Sequence, residues 1–448
     1  MSGVSAARPV VAIVGGGYAG MAAALTLAQA GVGSIVFEAA KTLGGRARRI
    51  EYRGEIIDNG QHILAGAYSE LLRLMRLVGV PDSALRRIPL RLSIPPHFLL
   101  NVPRTLFLPG PLSLAWALLT AKGLTFADRL SAVRFMRALK RTNFQVDAAK
   151  SVATLLEEQK QSQNLIDHLW QPLTISALNT PLAYASAQVF ANVLRDSLAS
   201  SREASDLLLP CVDLTSLFPD PAALWLAGRG GEVRTGTRVK NILAAGDKYT
   251  VVADTGSQDV DAVILAVGPH QLEGLIANVD PPAFSYEPIV TVYFKFDRPV
   301  RMREPMAGQM RGLAQWFFDR QTLGAESGPQ GKDESGLIAA VISASGPHEN
   351  LPQEELADRV LAELAAHVPD LPTPVWRKVV TEKFATFACT PDAARPPTTT
   401  SHAGVFRAGD YVAGDYPATL EGAVRNGIAA AVAAITHLRR TSSETSKP

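Results

Sequence analysis

The sequence predicts an α/β fold in which two domains share one chain. Three observations predict it: the length of 448 residues, a glycine-bearing segment near each end, and a long stretch between them that alternates between helix-like and strand-like patterns. One hydrophobic core rarely serves so long a chain, so we expect two domains. We expect a Rossmann-like dinucleotide-binding domain with a central parallel sheet, joined to an α+β domain of antiparallel sheet and helices.

The N-terminal segment carries the Rossmann prediction. An apolar strand, Val10 to Val14, leads into a loop with Gly15, Gly17 and Gly20, and a helix over Met21 to Ala30 follows. Gly15 permits the tight turn, Gly17 lets the backbone approach a pyrophosphate, and Gly20 lets the helix pack on the strand. The phosphates are expected at the helix N-terminus.

A second strand, Ser34 to Phe37, ends at Glu38. An acidic residue at about this distance from the glycine loop binds the ribose hydroxyls of a dinucleotide. These features predict a dinucleotide site and leave NAD and FAD as alternatives.

The next segment favours a flavin. Leu43-Gly44-Gly45-Arg46 resembles the extension found in flavin amine oxidases and phytoene-type desaturases, in which the arginine runs close to the cofactor. The resemblance implies FAD, with Gly45 and Arg46 among the residues that bind it. It also implies a flavin amine oxidase-like fold.

The C-terminal segment resembles the terminal flavin motif of the same superfamily. It reads Arg407-Ala408-Gly409-Asp410, then Leu420-Glu421-Gly422-Ala423 and Asn426-Gly427. The resemblance implies that Gly409 and Asp410 bind the ribityl or pyrophosphate region, that backbone at Leu420 and Glu421 faces the isoalloxazine, and that backbone near Val239 meets the adenine. A helix that begins there would also stabilise negative charge on a reduced flavin.

Five further strings resemble one branch, the hydroxysqualene dehydroxylase family. They are Asp58 to His62, Trp170 to Leu173 with Ala177 to Pro181, Gln315 to Asp319, Lys383 to Phe387, and Tyr416 to Glu421. The resemblance implies that reduced FAD replaces the hydroxyl of hydroxysqualene with hydride and forms squalene, in hopanoid or triterpene biosynthesis. A carotenoid (phytoene-type) desaturase is the alternative, and a flavin amine oxidase or a non-catalytic isoprenoid-binding flavoprotein is a more remote one.

That reaction needs a proton donor near the flavin. His62 and Asp58 are the candidate catalytic residues, although Asp58 could instead anchor a loop and His62 could instead bond the flavin; a cofactor role is favoured for both. Gly60 and Gln61 are expected to contact the cofactor with His62.

An allylic cation also needs a dry pocket with aromatic faces. Trp170, Trp316, Phe318 and Tyr416 are the candidates for its lining, together with Phe317. The alternative is that these side chains belong to the hydrophobic core, where aromatic residues on such strands lie more often than in a ligand pocket. Amine oxidases that resemble this family often flank the flavin with an aromatic pair near the terminal motif. Here Pro417 to Leu420 occupy that stretch after Tyr416, which disfavours an amine cage.

The division into domains is expected to be discontinuous. Residues 1–87, 210–280 and 400–440 form the predicted FAD-binding domain, and residues 88–209 and 281–399 the substrate domain. We expect mainly helices over 88–209, a strand pair at 248–253 and 260–267, and antiparallel strands at 289–296, 313–318, 337–343 and 375–384. A helix is expected at 353–367, an exposed loop at 319–336, and frayed ends at 1–9 and 439–448.

Composition sets the remaining expectations. The formal net charge is only +2, so no global field favours nucleic acid, and two cysteines give neither a disulfide framework nor a metal motif. We expect a cytoplasmic protein that takes a long apolar isoprenoid substrate and is served by an unidentified reductant. An apolar stretch, Phe98 to Ala121, is followed by the basic residues Arg129, Arg134, Arg137, Lys140 and Arg141. This pattern suggests helices near 98–141 that contact the inner face of the membrane. Transient contact with squalene-pathway enzymes would follow from that location. A solvated basic face is the alternative for this segment.

Overall fold

The structure is a computed structural model, and it describes residues 8–102, 110–323 and 336–445. The elements are numbered along the chain. The strands are β1 (Val10–Val14), β2 (Gly33–Phe37), β3 (Arg49–Tyr52), β4 (Glu55–Asp58), β5 (Leu64–Ala65), β6 (Leu85–Ile88), β7 (Arg91–Ile94), β8 (Phe98–Asn101), β9 (Leu207–Pro210), β10 (Gly231–Arg234), β11 (Val239–Ala245), β12 (Lys248–Ala253), β13 (Gly256–Val260), β14 (Ala262–Leu265), β15 (Tyr286–Lys295), β16 (Met306–Gly308), β17 (Trp316–Asp319), β18 (Leu337–Ser343), β19 (Trp376–Phe387) and β20 (Val405–Arg407).

The α-helices fill the stretches between these strands. They are α1 (Tyr18–Gln29), α2 (Ser69–Leu77), α3 (Gly110–Thr120), α4 (Phe126–Arg141), α5 (Val152–Glu158), α6 (Gln163–Leu165), α7 (Gln171–Leu178), α8 (Ala187–Val193), α9 (Leu214–Leu217), α10 (Pro219–Ala227), α11 (Arg320–Leu323), α12 (Gln353–Leu364) and α13 (Leu420–Thr445).

A five-stranded parallel sheet underlies one end of the molecule, in the order β10-β2-β1-β14-β20. Its central strands β1 and β14 are apolar and almost wholly buried, as strands covered on both faces must be. Helices α1 and α13 pack against each other on this sheet. The sheet thereby brings the first strand of the chain and the segment before its last helix to one edge.

A second five-stranded sheet is antiparallel, in the order β16-β17-β18-β15-β19. One face packs against α12 through side chains such as Val292, Phe294 and Ala340. The other face, with Tyr293 and Val341, joins the large core that also holds the helices of the central stretch. The parallel sheet, this antiparallel sheet and the helices confirm the predicted fold class.

The central stretch differs from the helical prediction at its ends. Residues 91–101 form the hairpin β7–β8, and β6 and β9 pair with each other, because these short apolar runs lie against other strands. Phe98 to Asn101 is therefore strand, and only α3 and α4 of the expected helical region near 98–141 are helices. Residues 103–109 of that region lie outside the described residues.

Three further expectations are corrected. The partner of β12 is β13, not a strand at 260–267, and β14 instead joins the parallel sheet through β1. Asp319 and Arg320, at the start of the expected exposed loop, are buried; residues 324–335 lie outside the described residues. The last helix continues to Thr445 beyond the predicted fraying at Arg439, because its apolar face packs on α1.

Candidate flavin site

The glycine loop follows β1 and turns into α1 in a geometry that needs glycine. Gly15 has φ +109°, and a Cβ there would lie 2.5 Å from the carbonyl oxygen of Ala266. A Cβ at Gly20 would clash with the carbonyl oxygen of Gly15. The protein's own backbone thus explains both glycines, as the sequence predicted.

Gly17 is different, because the protein does not crowd it. A Cβ there would meet no atom nearer than 3.8 Å, and the backbone is extended. Gly17 is the N-cap of α1, receives no side-chain hydrogen bond and is followed by no acidic residue in the first turn. The first N–H groups of α1 therefore receive no capping side chain, and the backbone at Gly17 leaves room for the close approach that a bound pyrophosphate requires.

Glu38 lies at the end of β2 beside this loop. Its Oε2 accepts the N–H of Gly16 at 2.7 Å, and its Oε1 accepts that of Ala40 at 2.8 Å. The Glu38 carbonyl accepts the N–H of Thr237 at 2.8 Å, which brings the start of β11 at Val239 to the same edge. A ribose role for Glu38 and an adenine contact at Val239 stay predictions, and the two positions lie close together as those roles require.

Arg46 joins the two ends of the chain. Its guanidinium donates to a carboxylate oxygen of Asp410 at 2.6 Å and to the carbonyl oxygens of Phe384 and Ala385 at 3.2 and 2.7 Å. The segment before it lies on the glycine loop, since the N–H of Gly44 donates to Gly16 at 3.0 Å. Burial opposes the charged form, but the Asp410 carboxylate raises the pKa of Arg46 above its usual value. A permanent cation therefore stands where three parts of the chain meet.

The loop after Asp410 is organised by two side chains that sequence reasoning missed. Arg395 donates to four carbonyl oxygens, those of Asp410, Val412, Gly414 and Tyr416, at 2.5 to 2.8 Å. Asn426 in α13 donates to Gly409 and Val412. Asn426 belongs to the terminal motif, although no role was predicted for its side chain, and nothing local singled out Arg395.

The terminal helix begins beside this loop. Thr419 caps α13, because its hydroxyl accepts the N–H of Gly422 at 3.1 Å. The preceding N–H groups, at Leu420 and Glu421, have no partner within a helix, so backbone contact with a flavin ring remains our prediction for them.

The Glu421 side chain has another task. It is fully buried, and its carboxylate accepts the N–H groups of Glu70 and Leu71 at the start of α2, at 3.0 and 2.9 Å. Arg425, one turn further along α13, donates to the same carboxylate at 2.7 Å. The side chain therefore ties two helices together.

Asp58 and His62 flank the turn after β4. The buried Asp58 carboxylate accepts the N–H of Leu214 at 2.9 Å, at the first residue of α9. This contact favours the alternative in which Asp58 anchors a loop. Gln61 lies in the same turn, and its side-chain oxygen accepts from Arg320 at 3.3 Å.

His62 is held by its neighbour. Its Nδ1 lies 2.8 Å from the carbonyl oxygen of Gly60, which can only accept, so Nδ1 carries a proton. Burial lowers the pKa of His62, and the charge of Arg46 lowers it further. The hydrogen bond to the Gly60 carbonyl acts in the opposite direction but does not cancel these two effects. The neutral ring therefore presents Nε2 as an acceptor, so His62 donates from Nε2 only when it is protonated.

The predicted pocket aromatics occupy different surroundings. Trp170 is buried, edge-on to Phe135 and Phe190, and its indole N–H donates to Gln161 at 3.0 Å. This is a core position, and it favours the core alternative for Trp170. Tyr416 is partly buried under the Arg425 guanidinium, and burial with the nearby Asp196 carboxylate raises its pKa to about 12.

The aromatic residues of β17 divide between the two faces of the antiparallel sheet. Trp316 and Phe318 face the large core beside Tyr293, and Trp316 donates to the hydroxyl of Ser176 at 2.9 Å. Phe317 packs on the α12 side, 4.9 Å from the His367 ring, because side chains alternate along a strand. Phe317 therefore lies on the opposite face from the other two and does not line a common pocket with them, while a pocket role for Trp316 and Phe318 stays a prediction.

An aromatic cluster missed by sequence reasoning lies beside Arg46. The Phe384 ring stacks on His270 at 4.5 Å and stands edge-on to Tyr286 at 5.0 Å. Burial and the charge of Arg46 lower the pKa of His270, although Glu382 opposes them. The cluster thus lies close enough to Arg46 for its charge to act on the rings of His270 and Tyr286.

A cavity of about 820 Å³ lies at the β16 edge of the antiparallel sheet. Its lining includes His97, His168, Met302, Met310 and His367, and none of the predicted cofactor residues. Within residues 8–102, 110–323 and 336–445, no group of three or more His, Cys, Asp or Glu side chains is placed to hold a metal ion.

Comparison with known proteins agrees with this geometry. Hydroxysqualene dehydroxylase from Rhodopseudomonas palustris is 28% identical over 438 residues, which is 94% of this chain and 97% of the relative. The Zymomonas mobilis protein of the same name is 29% identical and matches 96% and 99% of the two chains. A probable zeta-carotene desaturase from Synechococcus elongatus is 26% identical over 94% of this chain and 98% of its own.

Solved structures share the fold at lower identity. An oxidoreductase from Methanosarcina mazei superposes with a TM-score of 0.72 at 15% identity, covering 94% of this chain and 99% of that one. Putrescine oxidase bound to putrescine superposes with a TM-score of 0.68 at 18% identity, covering 96% of this chain and 99% of that one. The model of the family of flavin-containing amine oxidoreductases matches residues 18–435, which include the Arg46–Asp410 pair and all of the loop held by Arg395. The chain belongs to that family, and it is a flavin-dependent oxidoreductase.

Proposed function

We propose that this protein is a hydroxysqualene dehydroxylase that uses FAD. The observation that carries the proposal is the likeness, over more than nine-tenths of both chains, to proteins of that name from three bacteria. The uncapped N-terminus of α1 at Gly17 supports the dinucleotide form of the flavin, because it suits a pyrophosphate, of which a mononucleotide carries only one phosphate.

The proposed reaction is a two-electron reduction of the alcohol. The C–O bond of the allylic alcohol breaks, the hydroxyl takes a proton and leaves as water, and a hydride forms the new C–H bond of squalene. When bound, reduced FAD supplies that hydride. A separate reductant must then restore the two electrons before the next turnover.

This chain's residues would bind and orient the reactants. The N-terminus of α1 and Arg46 offer positive charge to a pyrophosphate, and the N-terminus of α13 offers it to a flavin ring. Trp316 and Phe318 offer aromatic faces to a developing allylic cation in a water-poor core. His62 in its neutral form holds a hydrogen-bond acceptor at Nε2, so it would orient a water or hydroxyl rather than protonate it.

The carotenoid desaturase likeness makes oxidative desaturation the second candidate. It uses the same cofactor site and the opposite electron flow, removing two hydrogens from a polyene. The two functions therefore differ in the substrate that reacts and in whether the reacting enzyme carries reduced or oxidised flavin.

The test is a single turnover without oxygen. Reduced holoenzyme mixed with hydroxysqualene should regain the visible absorption of oxidised flavin and form one squalene for each flavin oxidised. The oxidised enzyme with hydroxysqualene is the control and should form none. A flavin that stays reduced, with no squalene formed, would refute the dehydroxylase, and reduction of oxidised enzyme by phytoene or zeta-carotene would establish the desaturase instead.

A further inference from the structure

The antiparallel pair of helices α3 and α4 carries a concentration of exposed apolar side chains. Among the described residues eleven large hydrophobic side chains are exposed, and five of them lie between residues 112 and 130. They are Leu112 (56% exposed), Trp116 (46%), Leu119 (39%), Phe126 (73%) and Leu130 (37%). Single exposed hydrophobic residues are ordinary, but a cluster of this kind marks an interaction surface.

The spacing places these side chains on one face of each helix. In α3, Leu112, Trp116 and Leu119 are separated by four and three residues. The turn between the helices brings the end of α3 to the start of α4, and Arg129 donates to the carbonyl oxygen of Leu119 at 3.2 Å. Leu119 and Phe126 therefore lie near the same turn, which is the apolar tip of the pair.

Helix α4 changes character along its exposed face. Phe126 and Leu130 are followed on the same stripe by Arg134, Arg137 and Arg141, at steps of four, three and four residues. Ala132, Phe135 and Leu139 form the opposite, buried face. The stripe is about 22 Å long at 1.5 Å per residue. It thus passes from an apolar end to a basic end along one exposed line.

No exposed acidic residue offsets this charge within 110–141. The segment holds six basic residues and one acidic residue, Asp128, in a chain whose formal net charge is only +2. Burial alone would raise the pKa of Asp128, but hydrogen bonds from Ser162, Asn164 and Thr125 lower it to about 2. Asp128 is therefore ionised, turned inward and engaged in capping α4.

We propose that the α3–α4 pair docks on an anionic lipid bilayer, with its apolar tip among the acyl chains and its arginines at the headgroups. An apolar surface with a basic border is the arrangement of helices that lie in a membrane interface. The pair rests on the surface and does not cross it, and within the described residues no helix has the length and apolar character needed for crossing. The proposal does not depend on which reaction the protein catalyses.

Docking in this way would bring the cavity near the bilayer. The turn between α3 and α4 touches the cavity lining, because Gly123 packs against the carbonyl of His97 so closely that a Cβ would clash. Asn164 donates to Gly123 at 3.3 Å, and its carbonyl accepts from the lining residue His168 at 2.8 Å. The turn at the end of the docked surface and the cavity wall are therefore in direct contact.

Flotation of the FAD-loaded protein with vesicles tests the proposal. The protein should float with phosphatidylglycerol-containing vesicles and much less with pure phosphatidylcholine, and binding should weaken as salt rises. Replacing Arg134, Arg137 and Arg141 with Ser should lower partitioning about 100-fold, because each basic residue near the surface contributes about fivefold. Replacing Trp116, Phe126 and Leu130 with Ser should abolish binding even at low salt.

Matched variants elsewhere on the surface are the controls. Replacing the exposed residues Arg76, Arg439 and Arg440 with Ser makes the same change in charge, and replacing Leu224, Leu243 and Val432 with Ser makes a comparable loss of exposed apolar area. Both should bind vesicles like the wild type. The proposal fails if the wild type does not float, if the controls lose binding equally, or if the apolar substitutions instead convert a dimer to a monomer in solution, which would make this face a contact between two copies.

Discussion

Two arginines hold the candidate flavin site together, each by satisfying groups from distant parts of the chain. Arg46 links the segment after the glycine loop to Asp410 and to two carbonyls at the end of β19, and Arg395 gathers four carbonyls of the loop that follows Asp410. Planar guanidinium groups suit this work because several N–H donors diverge from one rigid fork. The conformation of the loop is therefore held by the protein's own side chains.

His62 gives a prediction about pH at the residue scale. Burial lowers its pKa in the folded protein, so the folded state binds fewer protons than the unfolded chain, whose histidine titrates near 6.5. The stability gained from the neutral ring is present above about pH 6.5 and is lost as pH falls below that value. His62→Asn should therefore show a shallower fall in unfolding free energy between about pH 7 and 5.

Urea unfolding at several pH values measures this slope, with the exposed His97→Asn as matched control. If the slope of the His62 variant equals that of the wild type, the ring is not held neutral in the folded protein.

At the scale of elements, α13 does two things at its first turn. Its Thr419 cap and its N-terminal backbone face the loop that follows Asp410, while the side chain of Glu421 reaches the other way and caps α2. One helix start thereby fixes a second helix, while its own positive end is the one that we predict to face the flavin.

Glu421→Gln separates these two tasks. The amide keeps an acceptor but loses the charged contact with Arg425 and leaves one buried N–H of α2 poorly satisfied, so we expect a loss of about 1–3 kcal/mol in unfolding free energy. Flavin occupancy of the folded protein should stay near that of the wild type, because the backbone of α13 is unchanged.

Thermal and urea unfolding with the flavin-to-protein absorbance ratio measure both quantities. Glu70→Gln is the matched control, since its ion pair with Arg73 is partly exposed and should matter by at most about 0.5 kcal/mol. Loss of flavin without loss of stability in Glu421→Gln would mean that the side chain acts on the cofactor.

At the scale of the whole molecule, the parallel sheet makes one site from both ends of the chain. Strands β1 and β20 lie on either side of β14, and α1 packs on α13, so the glycine loop and the terminal motif meet. A ligand that contacts both should stabilise the whole fold by linkage.

FAD should therefore raise the melting temperature of the apoprotein, corresponding to about 2.7 kcal/mol at a free concentration of one hundred times Kd. FMN at the same concentration should raise it much less, because it lacks the second phosphate and the adenosine. Gly17→Ala should leave the apoprotein as stable as the wild type, since its Cβ meets nothing nearer than 3.8 Å, yet reduce the gain from FAD.

Differential scanning fluorimetry with FAD and FMN measures these shifts. Equal stabilisation by the two flavins would contradict a dinucleotide site, and an unchanged FAD shift in Gly17→Ala would remove Gly17 from the phosphate contact.

The sequence by itself determined the features that depend on near neighbours in the chain. Glycine spacing predicted the turn into α1, and hydrophobic periodicity predicted strands such as β12 and β18. Both signals are local, because backbone sterics and the alternation of buried and exposed side chains are set within a few residues. Motif resemblance further predicted the flavin and the family, both of which are confirmed.

Tertiary structure alone decided which partner each side chain found. The Arg46–Asp410 pair spans 364 positions, Glu421 turned to α2, Trp170 entered the core, and Phe317 faced away from Trp316 and Phe318. A buried donor or carboxylate needs a hydrogen-bond partner, and a buried ring needs side chains to pack against. The fold brings these partners from remote segments, and no local sequence pattern encodes such contacts.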